Sequence, residues 1–329
     1  MKIAVLGAGA WGTALAINFC LRHQVTLWTK FTDHLAELTS LRENKSFLPD
    51  FPLPKSLDLT ADLNSALDDA DLALIVVPVA ALRETMRSIV ATGKSVPVIW
   101  GCKGFESRVA KLPHQIVGEE YDGIAPYGVL SGPSFAQEVA QGLPTALALA
   151  SSDEAFSQAL APKLHSKLLR IYSSNDIVGV EIGGAVKNVI TIAAGISDGM
   201  GFGHNARAAL ITRGLLEMMR LGIKLGGRKE TFMGLSGVGD LILTCTGDLS
   251  RNRRVGLMLA EGQSLSEILD KLGHVAEGVH TAEEVQRLSQ TLDIEMPIIR
   301  AVCSILNEEI SARDAVQQLL DREPTSESF

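Results

Sequence analysis

Lys2-Ile3-Ala4-Val5-Leu6-Gly7-Ala8-Gly9-Ala10-Trp11-Gly12 is the stretch that decides the fold. The five residues from Lys2 to Leu6, mostly apolar and partly β-branched, read as a buried strand. The glycines then hand the chain to Thr13-Ala14-Leu15-Ala16-Ile17-Asn18, a run of good helix formers. In a dinucleotide-binding turn, Gly7 permits the tight reversal and Gly9 lets the backbone approach a pyrophosphate. Gly12 allows close helix–strand packing, with the phosphates on the helix N-terminus. Glycine-rich turns are common. A strand before, a helix after and a second strand about twenty residues on make this one specific.

Working outward, Gln24–Trp28 reads as that second strand, followed by Leu72–Val77, Val96–Trp100, Tyr127–Leu130 and Ala146–Ala150. Continuously apolar strands imply burial on both faces, as in a parallel sheet covered by helices. Phe47–Pro54 reads as a proline-stiffened loop. Past residue 178 helical periodicity takes over, with Gly195–Gly203 as a glycine-rich break between two long helices. Further helices are expected over Arg207–Leu221, Ser264–Lys271 and Thr281–Leu292, with a frayed tail over Pro324–Phe329. The expected architecture is an α/β doubly wound (Rossmann-like) domain over 1–178 and an all-α domain over 179–329. Chemistry belongs in the cleft between them.

A chain of 329 residues has room for this, and 46% hydrophobic with 21% charged residues excludes wholesale disorder. The net charge of −8 argues against nonspecific nucleic-acid binding. The absence of a charged leader before the first strand argues against secretion. Leu72–Leu82, taken as the longest apolar stretch, is too short to span a bilayer and contains Pro78. A cytoplasmic protein without stable membrane insertion is expected. Cys20, Cys102, Cys245 and Cys303 lack metal-like spacing and read as reduced, packed thiols. No HExxH or G-x-S-x-G occurs, so metal catalysis and acyl transfer are set aside.

In NAD-specific turns, an acidic residue ending the second strand binds the adenosine ribose hydroxyls. Here that strand ends Trp28-Thr29-Lys30. An ammonium attracts a 2′-phosphate that a carboxylate would repel, so Lys30 favours NADPH, with NADH left open.

Three polar clusters stand out. Lys103 follows the predicted strand ending at Trp100, so it belongs beyond the strand's carboxyl end, where open sheets bind ligands. Ser131-Gly132-Pro133-Ser134-Phe135-Ala136 is again a strand followed by a turn. In Gly183-Gly184-Ala185-Val186-Lys187-Asn188, the lysine lies in an apolar, buried-helix pattern. A buried lysine must be paired or lower its pKa, which is a route to a general acid/base near neutral pH. Farther on, Asp240 sits in a glycine-flanked apolar stretch. Ser250-Arg251-Asn252-Arg253-Arg254 offers a donor set suited to phosphate. Arg251 with Asn252 is the reading there; Arg253 and Arg254 stay open.

Taken in order, these motifs, with Gly201-Phe202-Gly203-His204-Asn205-Ala206-Arg207, resemble those of the bacterial-type NAD(P)-dependent glycerol-3-phosphate dehydrogenases. The resemblance runs from Gly7 through Met296-Pro297. It implies reversible reduction of dihydroxyacetone phosphate to sn-glycerol 3-phosphate, the backbone of phospholipids, with NAD or NADP and no metal. Lys187 would be the acid/base. Lys103, Gly132, Ser134, Lys187, Asp240, Ser250, Arg251 and Asn252 would surround the substrate. Trp11, Lys30, Lys103, Ala136, Arg251, Val275 and Glu277 would line the cofactor site beside Gly7, Gly9 and Gly12. Lys30 departs from the arginine or histidine of many members but keeps the charge, and Cys102 replaces a more usual threonine. A homodimer, the choice between NADPH and NADH, and the role of Asp240 remain open. Two alternatives stand beside this reading: a two-domain dehydrogenase of carboxylate substrates, and a cofactor sensor without turnover.

Overall fold

The computed structural model describes residues 1–272 and 276–321. The strands are β1 (Lys2–Leu6), β2 (Gln24–Trp28), β3 (Glu43–Asn44), β4 (Leu48–Pro52), β5 (Leu57–Thr60), β6 (Leu72–Ile75), β7 (Val98–Trp100), β8 (Tyr127–Ser131), β9 (Thr145–Ala150) and β10 (Leu169–Ser174). Among them run α1 (Ala10–Phe19), α2 (Thr32–Leu41), α3 (Leu63–Ala66), α4 (Val79–Ala91), α5 (Pro113–Tyr121), α6 (Ala136–Ala140) and α7 (Glu154–Leu164). After β10 every described element is helical: α8 (Ile177–Gly199), α9 (Gly203–Lys224), α10 (Lys229–Phe232), a π-helical turn (Leu235–Gly239), α11 (Asp240–Thr246) and α12 (Arg251–Ala260). The chain continues through α13 (Leu265–Leu272), α14 (Glu277–Thr291), α15 (Pro297–Leu306) and α16 (Ala312–Leu320).

Eight strands form one sheet in the order β10-β9-β8-β7-β6-β1-β2-β5. Every pair in it is parallel except β8–β9. Alternate residues of β1 go to opposite faces: Ile3 and Val5 join one apolar cluster, Ala4 and Leu6 another. Leu72/Leu74 and Ala73/Ile75 in β6 do the same, so both faces are covered. From β1 the chain moves one way to β2 and later returns to add β6 on the other side. The topological switch point, where such sheets bind ligands, therefore lies at the carboxyl ends of β1 and β6.

Several expectations are corrected. Phe47–Pro54 is not a plain loop: β4 pairs antiparallel with β3 in a small ribbon. Two strands leave outer edges free, so Pro49 and Pro52 forfeit no required ladder bond. β5 and β10 escaped the sequence reading because polar residues interrupt them, as Asp58 does in β5. A longer, predominantly apolar segment than Leu72–Leu82 is α8, although Glu181, Lys187 and Asp198 interrupt it. It is 23 residues long with a mean hydropathy of 1.5 over an 18-residue window, enough by length and composition to cross a membrane. That window is 94% buried, so α8 is apolar because neighbouring helices surround it. The break expected over Gly195–Gly203 between two long helices is present but narrower, at Met200–Phe202. α8 continues to Gly199, because Gly195 marks a helix crossing: a Cβ there would lie 2.1 Å from the Arg253 carbonyl oxygen of α12. The expected division at 178/179 falls in the first turn of α8. The expected tail, Pro324–Phe329, lies outside the described residues.

Candidate active site

The glycine turn has three separate geometries. Gly7 has φ +120°, and a Cβ there would sit 2.9 Å from the Val76 carbonyl. At Gly12, already inside α1, a Cβ would lie 1.9 Å from the Gly7 carbonyl oxygen, so α1 can pack this closely only on glycine. Gly9 meets nothing within 4 Å: its side is open. Gly9 also N-caps α1 without a side-chain cap, which leaves first-turn N–H groups for an anion. An open cradle at a helix N-terminus fits a dinucleotide pyrophosphate. Fully buried Asn44 braces it, its Nδ2 donating to the Ala8 carbonyl at 2.9 Å and to Thr13 Oγ1 at 2.7 Å. The half-buried Trp11 lies against Gly101, just ahead of Lys103. Lys30, past the end of β2, is exposed and paired with Glu84. Ala136 opens α6, and Glu277 opens α14. Val275 lies outside the described residues.

Beyond this cradle lies a lysine–carboxylate–lysine cluster. Lys187 projects from the middle of α8 and is only 6% exposed. Its Nζ donates to Asp240 Oδ1 at 2.6 Å and to Thr244 Oγ1 at 2.9 Å. Lys103 Nζ takes the other carboxylate oxygen, Oδ2, at 2.7 Å. Close backbone contact brings these elements together: a Cβ on Gly183 of α8 would lie 2.3 Å from the Ser236 carbonyl oxygen in the π-helical turn. That turn runs directly into α11, whose first residue is Asp240.

Burial pushes the Lys187 ammonium down from 10.5 to about 8; Asp240 resists that fall and Lys103 adds to it. Burial raises the Asp240 carboxyl, but the Lys103 and Lys187 ammoniums outweigh it and hold Asp240 below its usual value. Glu277 is pushed up by desolvation, against the pull of Lys103 and Arg251. The result is an ammonium that releases a proton near neutral pH.

The other expected residues surround this cluster unevenly. Buried Gly132 has φ +149°, and Ser134 Oγ donates to the Gly132 carbonyl at 3.0 Å. Ser250 is the N-cap of α12, its Oγ accepting the Arg253 N–H at 3.2 Å. Asn252 is also engaged internally: Nδ2 donates to Asn188 Oδ1 at 3.0 Å, and Oδ1 accepts the Gly278 N–H at 3.1 Å. These two side chains therefore hold α12 in place rather than standing free. Arg253 is spent on Asp198 and Asp248. Arg251 is exposed at the start of α12, and its guanidinium makes no hydrogen bond among the described residues.

Family models of the NAD-dependent glycerol-3-phosphate dehydrogenase N-terminus and C-terminus match residues 2–157 and 176–317. The chain belongs to the NAD-dependent glycerol-3-phosphate dehydrogenases. It is 68% identical to the glycerol-3-phosphate dehydrogenase [NAD(P)+] of Nitrosospira multiformis, with 100% of both chains covered. The Nitrosomonas eutropha enzyme of the same name is 60% identical, again over 100% of both. The crystal structure of glycerol-3-phosphate dehydrogenase from Coxiella burnetii superposes with a TM-score of 0.93 at 44% identity, covering 98% of this chain and 99% of that one.

Three residues that bond to the expected site residues or to the glycine turn were not singled out in the sequence. Thr244 had a signal, since it stands four residues after Asp240 and so on the same face of α11. Asn44 and Glu84 had none: each acts on a segment more than thirty residues away.

Proposed function

We propose that this protein reduces dihydroxyacetone phosphate to sn-glycerol 3-phosphate, reversibly and with NAD(P)H, and so supplies the glycerophospholipid backbone. The observation that carries the reading is the buried Lys187 ammonium, shared with Asp240 and poised near pH 8. Residues 1–178 hold the dinucleotide, through Gly7, Gly9, Gly12, Trp11, Lys30 and Ala136. Residues 179–329 supply the acid and the phosphate contacts.

When bound, the reduced nicotinamide supplies the hydride. Lys187 donates a proton to the carbonyl oxygen as negative charge builds there, leaves as the neutral amine and is recharged from solvent. Asp240 fixes the direction of Lys187 Nζ and, through its second oxygen, that of Lys103. Lys103 adds a second positive charge beside the developing alkoxide. Arg251 and the backbone N–H groups at the start of α12, set by the Ser250 cap, take the substrate phosphate. Holding both reactants in this geometry contributes a large share of the rate.

The acidic net charge and the burial of α8 support a cytoplasmic enzyme without nucleic-acid or membrane association. The helical half exposes Phe202, Met233, Ile242 and Leu249, which supports a homodimer, to be checked by sedimentation equilibrium. The deciding assay mixes purified protein with NADPH and either dihydroxyacetone phosphate or a 2-ketoacid. Oxidation with the phosphate substrate and not the ketoacid is expected. The reverse preference, or no turnover with either, overturns the proposal.

A further inference from the structure

Lys30 and Glu84 come from opposite flanks of the glycine turn. Lys30 follows β2, Glu84 lies in the second turn of α4 beyond β6, and β2 and β6 are the two neighbours of β1. Their side chains nevertheless meet, Nζ to Oε1 at 2.7 Å, with 59% and 69% of each exposed. The pair thus reaches from one side of the switch point to the other, where open sheets bind ligands. An exposed pair adds little to stability and parts readily for a better partner.

An NAD-type turn carries an acid at the end of its second strand to accept the hydrogen bonds of the adenosine ribose hydroxyls. This chain has Lys30 there instead, yet Glu84 brings a carboxylate to the same place from another element. We propose that Glu84 is a specificity-determining residue for the cofactor, sharing the adenosine ribose with Lys30. This rests on the reading of Lys30 as the group that meets a 2′-phosphate. With NADH, Glu84 accepts the ribose 2′-hydroxyl hydrogen bond and stays beside Lys30. With NADPH, Lys30 turns to the phosphate, and the uncovered Glu84 carboxylate repels it. One cation and one carboxylate together admit both cofactors and favour neither strongly.

The test is calorimetric titration of the intact protein with NADPH and with NADH, for wild type, E84Q, E84K and K30M. E84Q is expected to tighten NADPH and weaken NADH, each about 2- to 5-fold. E84K should tighten NADPH further. Both dissociation constants moving in one direction, or neither moving, overturns the role of Glu84. If K30M weakens NADPH while E84Q changes nothing, the Glu84 assignment alone fails. If K30M leaves the NADPH/NADH ratio unchanged, the Lys30 reading fails and this one with it.

Discussion

Lys187 and Lys30 each sit 2.6–2.7 Å from a carboxylate oxygen, and burial makes them different instruments. The Lys187 side chain is 8% exposed and its partner Asp240 2%; Lys30 and Glu84 are 59% and 69% exposed. Two unit charges 4 Å apart interact by about 1 kcal/mol in water and several-fold more strongly where water is excluded. At the buried end, desolvation and charge together set a proton affinity. At the exposed end they set only a preference among ligands. On the reading proposed above, the chemistry belongs to the first pair and the choice of cofactor to the second.

The harshest way to break this contrast is Lys187→Ala. Loss of a positioned acid lowers kcat by about 10²–10⁴-fold, measured at saturating substrate and cofactor, with cofactor affinity little changed. Near-normal turnover would move the chemistry elsewhere.

Asp240→Asn sharpens the comparison. It leaves two ammoniums facing each other in a dry site and should destabilise the fold by about 3–5 kcal/mol in denaturant titrations near neutral pH. Reduction needs protonated Lys187, so the wild-type rate should fall as pH rises through about 8. Because Asp240 holds that value up, the falling limb should move to lower pH in the variant. The stability sign agrees. The native Lys187 gives up its proton at lower pH than the unfolded chain does. Its destabilising contribution is therefore full below about 8 and fades as pH rises toward the ordinary 10.5. A profile that stays in place would separate Asp240 from the acid.

Arg251→Ala comes next. Arg251 is exposed, so the fold should tolerate its loss, while KM for dihydroxyacetone phosphate rises about 10-fold or more at nearly constant kcat. A selective fall in kcat would place its contact in the transition state alone.

What could be read in advance follows the same division between local and distant causes. The β1–glycine–α1 unit was legible because its signals are contiguous: an apolar strand, glycines with distinct jobs, a helix pattern. Lys187 was legible because a charge amid apolar residues is anomalous within a single turn. Its bonding to Asp240 was not, since 53 residues separate the two and only the folded chain brings α8 against α11. The ribbon β3–β4 was hidden by its prolines, and with it Asn44, the brace of the phosphate turn. Gly195 misled because glycine at a tight helix crossing and glycine at a helix break look alike in one dimension.

The mildest perturbation is salt. At 0.1 M the screening length is about 10 Å, and at 1 M about 3 Å, so exposed charges lose most of their reach while enclosed ones do not. With dihydroxyacetone phosphate saturating, raising ionic strength across that range should lower the NADPH/NADH ratio of kcat/KM by a few-fold in E84Q, where on the proposed reading exposed Lys30 meets the 2′-phosphate unopposed, and by less in the wild type, where Glu84 is screened as well. The falling limb near pH 8 should move far less, because the Lys187 and Asp240 side chains are only 8% and 2% exposed and ions have little access between them. Equal salt sensitivity at both ends would mean that water reaches Lys187 as freely as Lys30. The distinction between a proton-tuning pair and a ligand-sorting pair would then be lost.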